Sequence, residues 1–171
     1  FMQAKVERDG KTVEFVDLPG IYDLDGFTED EKVVQDFLEQ YSFDLIVCVI
    51  NASQIDRQIL LPLQLKKLGI PSLVALNMAD EVKRFGVKIN TQKLSQFLGM
   101  PVFTISAKYG AGCSLAIDGI WNTANDITDS YQVKELVEFC RENKVTDEEI
   151  QDSLDQGIEM PPENLVTFTN R

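Results

Sequence analysis

Three short signals in this chain carry chemistry: Asp17-Leu18-Pro19-Gly20, Asn77-Met78-Ala79-Asp80 and Ser106-Ala107-Lys108, each directly behind an apolar run. The Asp17 carboxylate can hold a water of a magnesium ion, and the Gly20 N–H, with no side chain in the way, can approach a terminal phosphate. The Asp80 carboxylate can accept two hydrogen bonds, from the ring N–H and the exocyclic amine of guanine, a donor pattern that adenine lacks. Asn77 would brace the neighbouring loops, Ser106 and Ala107 would offer backbone N–H groups to the guanine carbonyl, and the Lys108 stem would lie along the base. Taken together, the signals describe most of a site for GTP or GDP with magnesium. Singly they are ordinary: Asp-x-Pro-Gly is also a polar turn, and Asn-x-x-Asp also caps helices. No Gly-x-x-x-x-Gly-Lys-Ser/Thr phosphate loop occurs in the 171 residues, and no catalytic residue is identifiable.

The elements that must position these signals follow from periodicity. Gln3–Glu7 and Thr12–Val16 read as strands paired through the Asp9-Gly10 turn. Thr28-Glu29-Asp30-Glu31 is a capping box, which predicts a helix from about Glu29 to Gln40. Asp44–Ile50, Ser72–Leu76 and Val102–Ile105 have the length and β-branched content of buried strands. Helical spacing covers Gln54–Leu68, with Pro62 expected to weaken or kink it, then Asn90–Phe97 and Leu115–Ile127. Such alternation predicts an α/β fold: a doubly wound, mostly parallel sheet covered on both faces. Ligands in such folds sit at the carboxyl ends of the strands, where all three signals fall.

Beyond residue 127 the character changes. Residues 126 to 171 hold 12 Asp or Glu against 4 Lys or Arg. One short helix is expected around Leu136, Val137 and Cys140. A second begins at the capping box Thr146-Asp147-Glu148-Glu149 and closes at Gly157, and Met160–Arg171 reads as a loop or tail. The expected organisation is a GTPase-like domain over 1–127 and an acidic helical appendage over 128–171. The acidic run Asp147–Asp155 reads as a solvated helix face or a cation site.

The formal charge of -12 disfavours nucleic acid as a partner, and no histidine is present. Three cysteines without CxxC spacing suggest neither a disulfide framework nor zinc, and point to a reducing compartment. Cys48, Trp121 and Phe139 read as packing residues; Cys113 is the one cysteine near the base signals. No apolar run reaches the roughly 20 residues a membrane span needs, so a soluble chain is expected.

The pattern resembles the GTP-binding domain of the bacterial ferrous iron transport protein B family over about residues 10 to 125. The resemblance rests on Val16-Asp17-Leu18-Pro19-Gly20-Ile21-Tyr22, Asp30-Glu31-Lys32, Asn51-Ala52, Leu63-Gln64-Leu65 and Leu68-Gly69-Ile70-Pro71. It continues through Ala75-Leu76-Asn77-Met78-Ala79-Asp80 and Leu98-Gly99-Met100-Pro101-Val102. Met78, where most small GTPases carry Lys, and Tyr22 are similar to this family's pattern. The resemblance implies a P-loop GTPase-like fold whose first strand, phosphate loop and first switch would lie before Phe1. It implies slow GTP hydrolysis or another way of positioning water, because Ile21 stands where Ras-type enzymes place a water-orienting Gln. It further implies a location at the cytoplasmic face of the bacterial inner membrane and coupling to the membrane pore region of the same protein; a homo-oligomer is left open. The other reading is a nucleotide-free protein-interaction module derived from such a domain.

Overall fold

The computed structural model describes residues 2–159. Its first two strands, β1 (Met2–Arg8) and β2 (Lys11–Asp17), form an antiparallel hairpin in which Met2 faces Asp17. Asp9 and Gly10 both take positive φ, 52° and 77°, as the two-residue turn between right-twisted strands requires. Helix α1 (Glu29–Gln40) starts at the expected capping box, with Thr28 accepting from the Glu31 N–H and Glu31 returning to the Thr28 N–H. Strand β3 (Ile46–Asn51) follows.

Sequence periodicity predicts one helix over Gln54–Leu68; the molecule has a 3-10 turn (Ala52–Gln54), α2 (Ile55–Gln58) and α3 (Leu60–Leu68). Pro62 supplies the reason. It has no N–H for the carbonyl four residues back, and it is accommodated in the first turn of α3, where that donor is not needed. Gly69, at φ 71°, closes α3. Then come β4 (Ser72–Asn77), α4 (Ala79–Arg84), β5 (Lys88–Ile89), α5 (Thr91–Leu98), β6 (Val102–Thr104) and α6 (Cys113–Asn125). Helix α4 was not anticipated, since six residues are too few to display a helical period. Helix α6 begins and ends two residues earlier than its apolar spacing suggests, because Gly112 at φ 75° starts it.

Strands β3, β4 and β6 make a parallel sheet in that order, with Asn51 beside Asn77 and Leu76 beside Thr104. The β1–β2 hairpin has its own ladder and is not hydrogen-bonded to β3 among the described residues. The core lies where α2, α3 and α5 meet the sheet: Ile55, Ile59, Leu63, Leu73, Leu76 and Leu94 are each at most 1% exposed. Burying a side chain of this size contributes about 1.5–3 kcal/mol, which explains why β4 is apolar almost throughout.

The acidic segment docks on this body. Helix α7 (Leu136–Glu142) packs on α1, and α8 (Asp147–Gly157) packs on α5 and α2. A two-residue strand β7 (Ile158–Glu159), unforeseen, pairs antiparallel with β5. The apolar minority in a charged segment does the docking: Leu136, Cys140 and Gly157 are buried, and a Cβ on Gly157 would lie 3.0 Å from Leu94. The expected loop over Met160–Arg171 falls outside the described residues.

Candidate functional site

Two of the three signals are joined by their own side chains. Asn77 ends β4, and its Oδ1 accepts from the Met78 N–H at 2.9 Å and the Ala107 N–H at 3.0 Å. The Ser106 hydroxyl donates to Asp80 Oδ1 at 2.9 Å. Backbone bonds lock the same junction: Ile105 N–H to the Leu76 carbonyl at 2.8 Å and Ala79 N–H to the Ile105 carbonyl at 3.2 Å. Met78 is held left-handed at φ 61°, which is uncommon for a residue with a long side chain and turns the chain sharply into α4. The result fixes a carboxylate above the carboxyl ends of β4 and β6, with Asp80 Oδ2 unengaged among the described residues.

Ser106, Ala107 and Lys108 form a tight loop closed by the Ser106 N–H on the Ala111 carbonyl at 2.8 Å. Sequence reasoning offers the Ser106 and Ala107 amides to a base carbonyl; in the molecule both are committed, the first to Ala111 and the second to Asn77. The Lys108 N–H is the one left free among the described residues. Its ammonium lies 5.4 Å from the Tyr109 ring centroid, so this flexible side chain rests on an exposed aromatic face. Gly112 permits the loop: a Cβ there would sit 2.3 Å from the Thr104 carbonyl oxygen.

The third signal stands apart. Asp17 ends β2 with an exposed carboxylate that makes no ion pair or hydrogen bond among the described residues, and Gly20 is exposed with open space where a Cβ would be. Ile21 is half-buried against the core and presents nothing polar to a water. Between β2 and β3 runs a groove of about 1040 Å³, floored by Trp121 and Ile120 of α6 and flanked by Val47 and Val49. Both strands turn an unpaired edge toward it, and Val49 is 60% exposed although it lies on a strand of the main sheet.

Sequence reasoning missed the residues that order the chain after Gly20. Buried Gln35 of α1 and buried Gln64 of α3 both bond the Leu24 backbone, and Arg141 of α7 pairs with Asp25 at 3.1 Å. The available signal was a Gln between two core leucines, Leu63-Gln64-Leu65, since a polar side chain enters such a face only when it has partners.

Cys48 and Cys140 are buried, and Cys113 is partly buried. Burial pushes the Cys48 thiol up to about 12; burial, with Asp25 and Asp23 nearby, pushes Cys140 up to about 11. No group of three or more His, Cys, Asp or Glu residues suited to a metal ion occurs among the described residues. In the acidic run of α8, Glu149 pairs with Lys67 at 3.0 Å, and that hydrogen bond holds its carboxyl below the usual range.

The family model described as Ferrous iron transport protein B matches residues 2–120. The chain belongs to the ferrous iron transport protein B (FeoB) family. It is 49% identical over 168 residues to the Fe(2+) transporter FeoB of Synechocystis sp., a match covering 98% of this chain and 27% of that protein. The chain thus spans about a quarter of that FeoB relative's length. Among solved structures it is similar to the FeoB G-domain from Methanococcus jannaschii, at 32% identity and a TM-score of 0.68, over 72% of this chain and 80% of that one. The cytosolic domain of T. maritima FeoB in its GMPPNP form shares the fold at a TM-score of 0.68 and 23% identity, over 98% of this chain and 78% of that one. These likenesses establish the mixed α/β, P-loop GTPase-like architecture. No described helix is long and apolar enough to cross a membrane.

Proposed function

We propose that this chain is the guanine-nucleotide-binding domain of a ferrous iron transporter, coupling the binding and slow hydrolysis of GTP to iron uptake at the cytoplasmic face of the bacterial inner membrane. The observation that carries the reading is the Asn77 junction. One side-chain oxygen ties the loop after β4 to the loop after β6, and so aims the Asp80 carboxylate with one oxygen free. A carboxylate so placed fits the paired N–H donors of guanine. The Lys108 N–H then faces the base carbonyl, with the Ala107 N–H shared between it and Asn77, while Met78 and the Lys108 stem flank the ring. Ser106 holds Asp80 in orientation. The likeness to the FeoB G-domain from Methanococcus jannaschii supports this assignment.

Asp17 fits magnesium, because a single exposed carboxylate is the usual protein share of a site completed by waters and phosphates. Magnesium, when bound, would neutralise charge on the phosphates. Gly20 would present its N–H to the terminal phosphate. Ile21 offers no group to orient a water, which supports slow hydrolysis.

The groove between β2 and β3 supports a further extended segment. Two open strand edges and an uncovered apolar face are unfavourable in water and are relieved by one strand paired to both edges. We assign to that segment the phosphate loop at its carboxyl end. The division into a nucleotide-binding domain over 1–127 and a helical appendage over 128–171, which would relay nucleotide state to the membrane pore region, belongs to the same proposal. Thermal unfolding of the natural full-length protein tests it: magnesium-GTP at a hundredfold excess over its dissociation constant should stabilise the domain by about 2.7 kcal/mol, and ATP should not. Equal shifts with both nucleotides, or none with GTP, would exclude it.

A further inference from the structure

Behind Gly20 the chain has two parts of different character. Leu18 to Tyr22 make no hydrogen bond among the described residues, and Tyr22 is 56% exposed. Asp23 to Thr28, by contrast, are stitched down at nearly every residue. The Leu24 N–H donates to Gln64 Oε1 at 2.9 Å, and its carbonyl accepts from Gln35 Nε2 at 2.8 Å. Two side-chain amides from different helices thus do for Leu24 what a neighbouring strand would do. The spare valences are used as well: Gln35 Nε2 also reaches the Gly26 carbonyl at 3.0 Å, and Gln64 Nε2 donates to Asp23 Oδ1 at 2.7 Å. The Leu24 side chain is 1% exposed, and Gln35 and Gln64 are 7% and 8% exposed. Asp23 turns back on itself through the Asp25 N–H at 2.8 Å, and Gly26 has no room for a Cβ because the Glu31 carboxylate occupies that place.

We propose that Gln35 and Gln64 are positioning residues for the terminal-phosphate contact: by pinning Leu24 they confine the movable part of the loop to Leu18–Tyr22 and so hold Gly20 within reach of that phosphate. The inference rests on the functional reading above. Its logic is loop entropy. With Asp23 and Leu24 pinned, the free segment is Leu18 to Tyr22. With the pin released, Asp25 keeps only its partly exposed ion pair with Arg141, a weak tether, and the next point fixed in the backbone is Thr28, held by Glu31 at the start of α1; the free segment becomes Leu18 to Phe27, twice as long. Doubling a flexible loop costs about threefold in the equilibrium constant for ordering it. GTP requires that ordering, because its terminal phosphate is the group Gly20 faces; GDP lacks that phosphate and does not. A purely structural role for the two glutamines would change both affinities alike.

The test is calorimetric titration of the natural full-length protein with GDP and with a GTP analogue that is not hydrolysed. In the double variant Gln35→Met with Gln64→Met, affinity for the analogue should fall about threefold while affinity for GDP stays unchanged, and each single variant, which keeps one bond to Leu24, should lose less. Gln64→Glu keeps an acceptor for Leu24 but sets a carboxylate against Asp23, and should lower the same ratio; adding Asp23→Asn restores a donor and should restore the ratio. An unchanged analogue-to-GDP ratio in folded variants, or a parallel loss of both affinities, would overturn the inference. Should the unaltered protein bind neither nucleotide, the functional reading fails and takes this inference with it.

Discussion

Replacing Asn77 by Ala removes a single acceptor on which two loops depend. Its Oδ1 receives the Met78 N–H at 2.9 Å and the Ala107 N–H at 3.0 Å, each worth about 0.5–1.5 kcal/mol net. Ala107 is exposed and its N–H can turn to water; the Met78 N–H is half-buried and attached to a residue at φ 61°, a conformation costing roughly 1–2 kcal/mol that persists only while its surroundings impose it. Together these give a destabilisation of about 2 kcal/mol. Asn77→Asp retains both acceptor roles, and the Nδ2 it loses has no partner among the described residues, so its cost should stay under about 0.5 kcal/mol. Urea unfolding of the 171-residue chain reads both: at an m value of about 2 kcal/mol/M the midpoint should fall by about 1 M for Ala and scarcely for Asp. Equal midpoints for Ala and the unaltered chain, or equal losses for Ala and Asp, would refute the account of the junction.

Gly112→Ala should cost about 2–4 kcal/mol, combining left-handed strain with a Cβ 2.3 Å from the Thr104 carbonyl; Gly110→Ala, at φ 74° with open space around it, should cost only the strain, about 1–2 kcal/mol, and comparing the two melting temperatures separates the terms. Thr146→Ala removes the acceptor at the start of α8 and should cost about 1 kcal/mol in the same assay. The buried thiols predict alkaline sensitivity. Their folded values, about 12 for Cys48 and about 11 for Cys140, lie above the ordinary 9.0, so their contribution is complete below pH 9.0 and is lost as pH rises through those folded values. Cys48 should account for a fall of about 1.4 kcal/mol per pH unit within that window, and Cys48→Ala should remove that share of the slope in unfolding midpoints taken across it.

Much of the fold was legible because its elements are locally consistent. The strands β3 and β4 are unbroken apolar runs, α1 and α8 open on capping boxes, and Asp9-Gly10 can only be a hairpin turn. What could not be read depends on distant partners. Nothing local marks Lys88–Ile89 as a strand; it pairs because Ile158–Glu159 arrives beside it. The six residues of α4 carry too little period, and the break at Ile59 reflects a donor missing at Pro62. At the candidate site, the residue types and their strand-end placement were visible, including Asp80 and Asn77. The engagement of the Ser106 and Ala107 amides was not, since Ala111 and Asn77 reach them only through the folded loop. Gln35 and Gln64 were likewise invisible as a pair, because they lie on different helices and meet only at Leu24.

The most direct measurement titrates GDP and xanthosine diphosphate into the natural full-length protein and its Asp80→Asn variant by calorimetry. In the proposed placement Asp80 would accept two donors from guanine, whereas Asn would present one donor and one acceptor, the complement of the xanthine edge. The unaltered protein should bind GDP and reject xanthosine diphosphate, and the variant should reverse that preference. Retention of GDP affinity by the variant, or equal binding of both nucleotides by the unaltered protein, would contradict the placement of the base at Asp80.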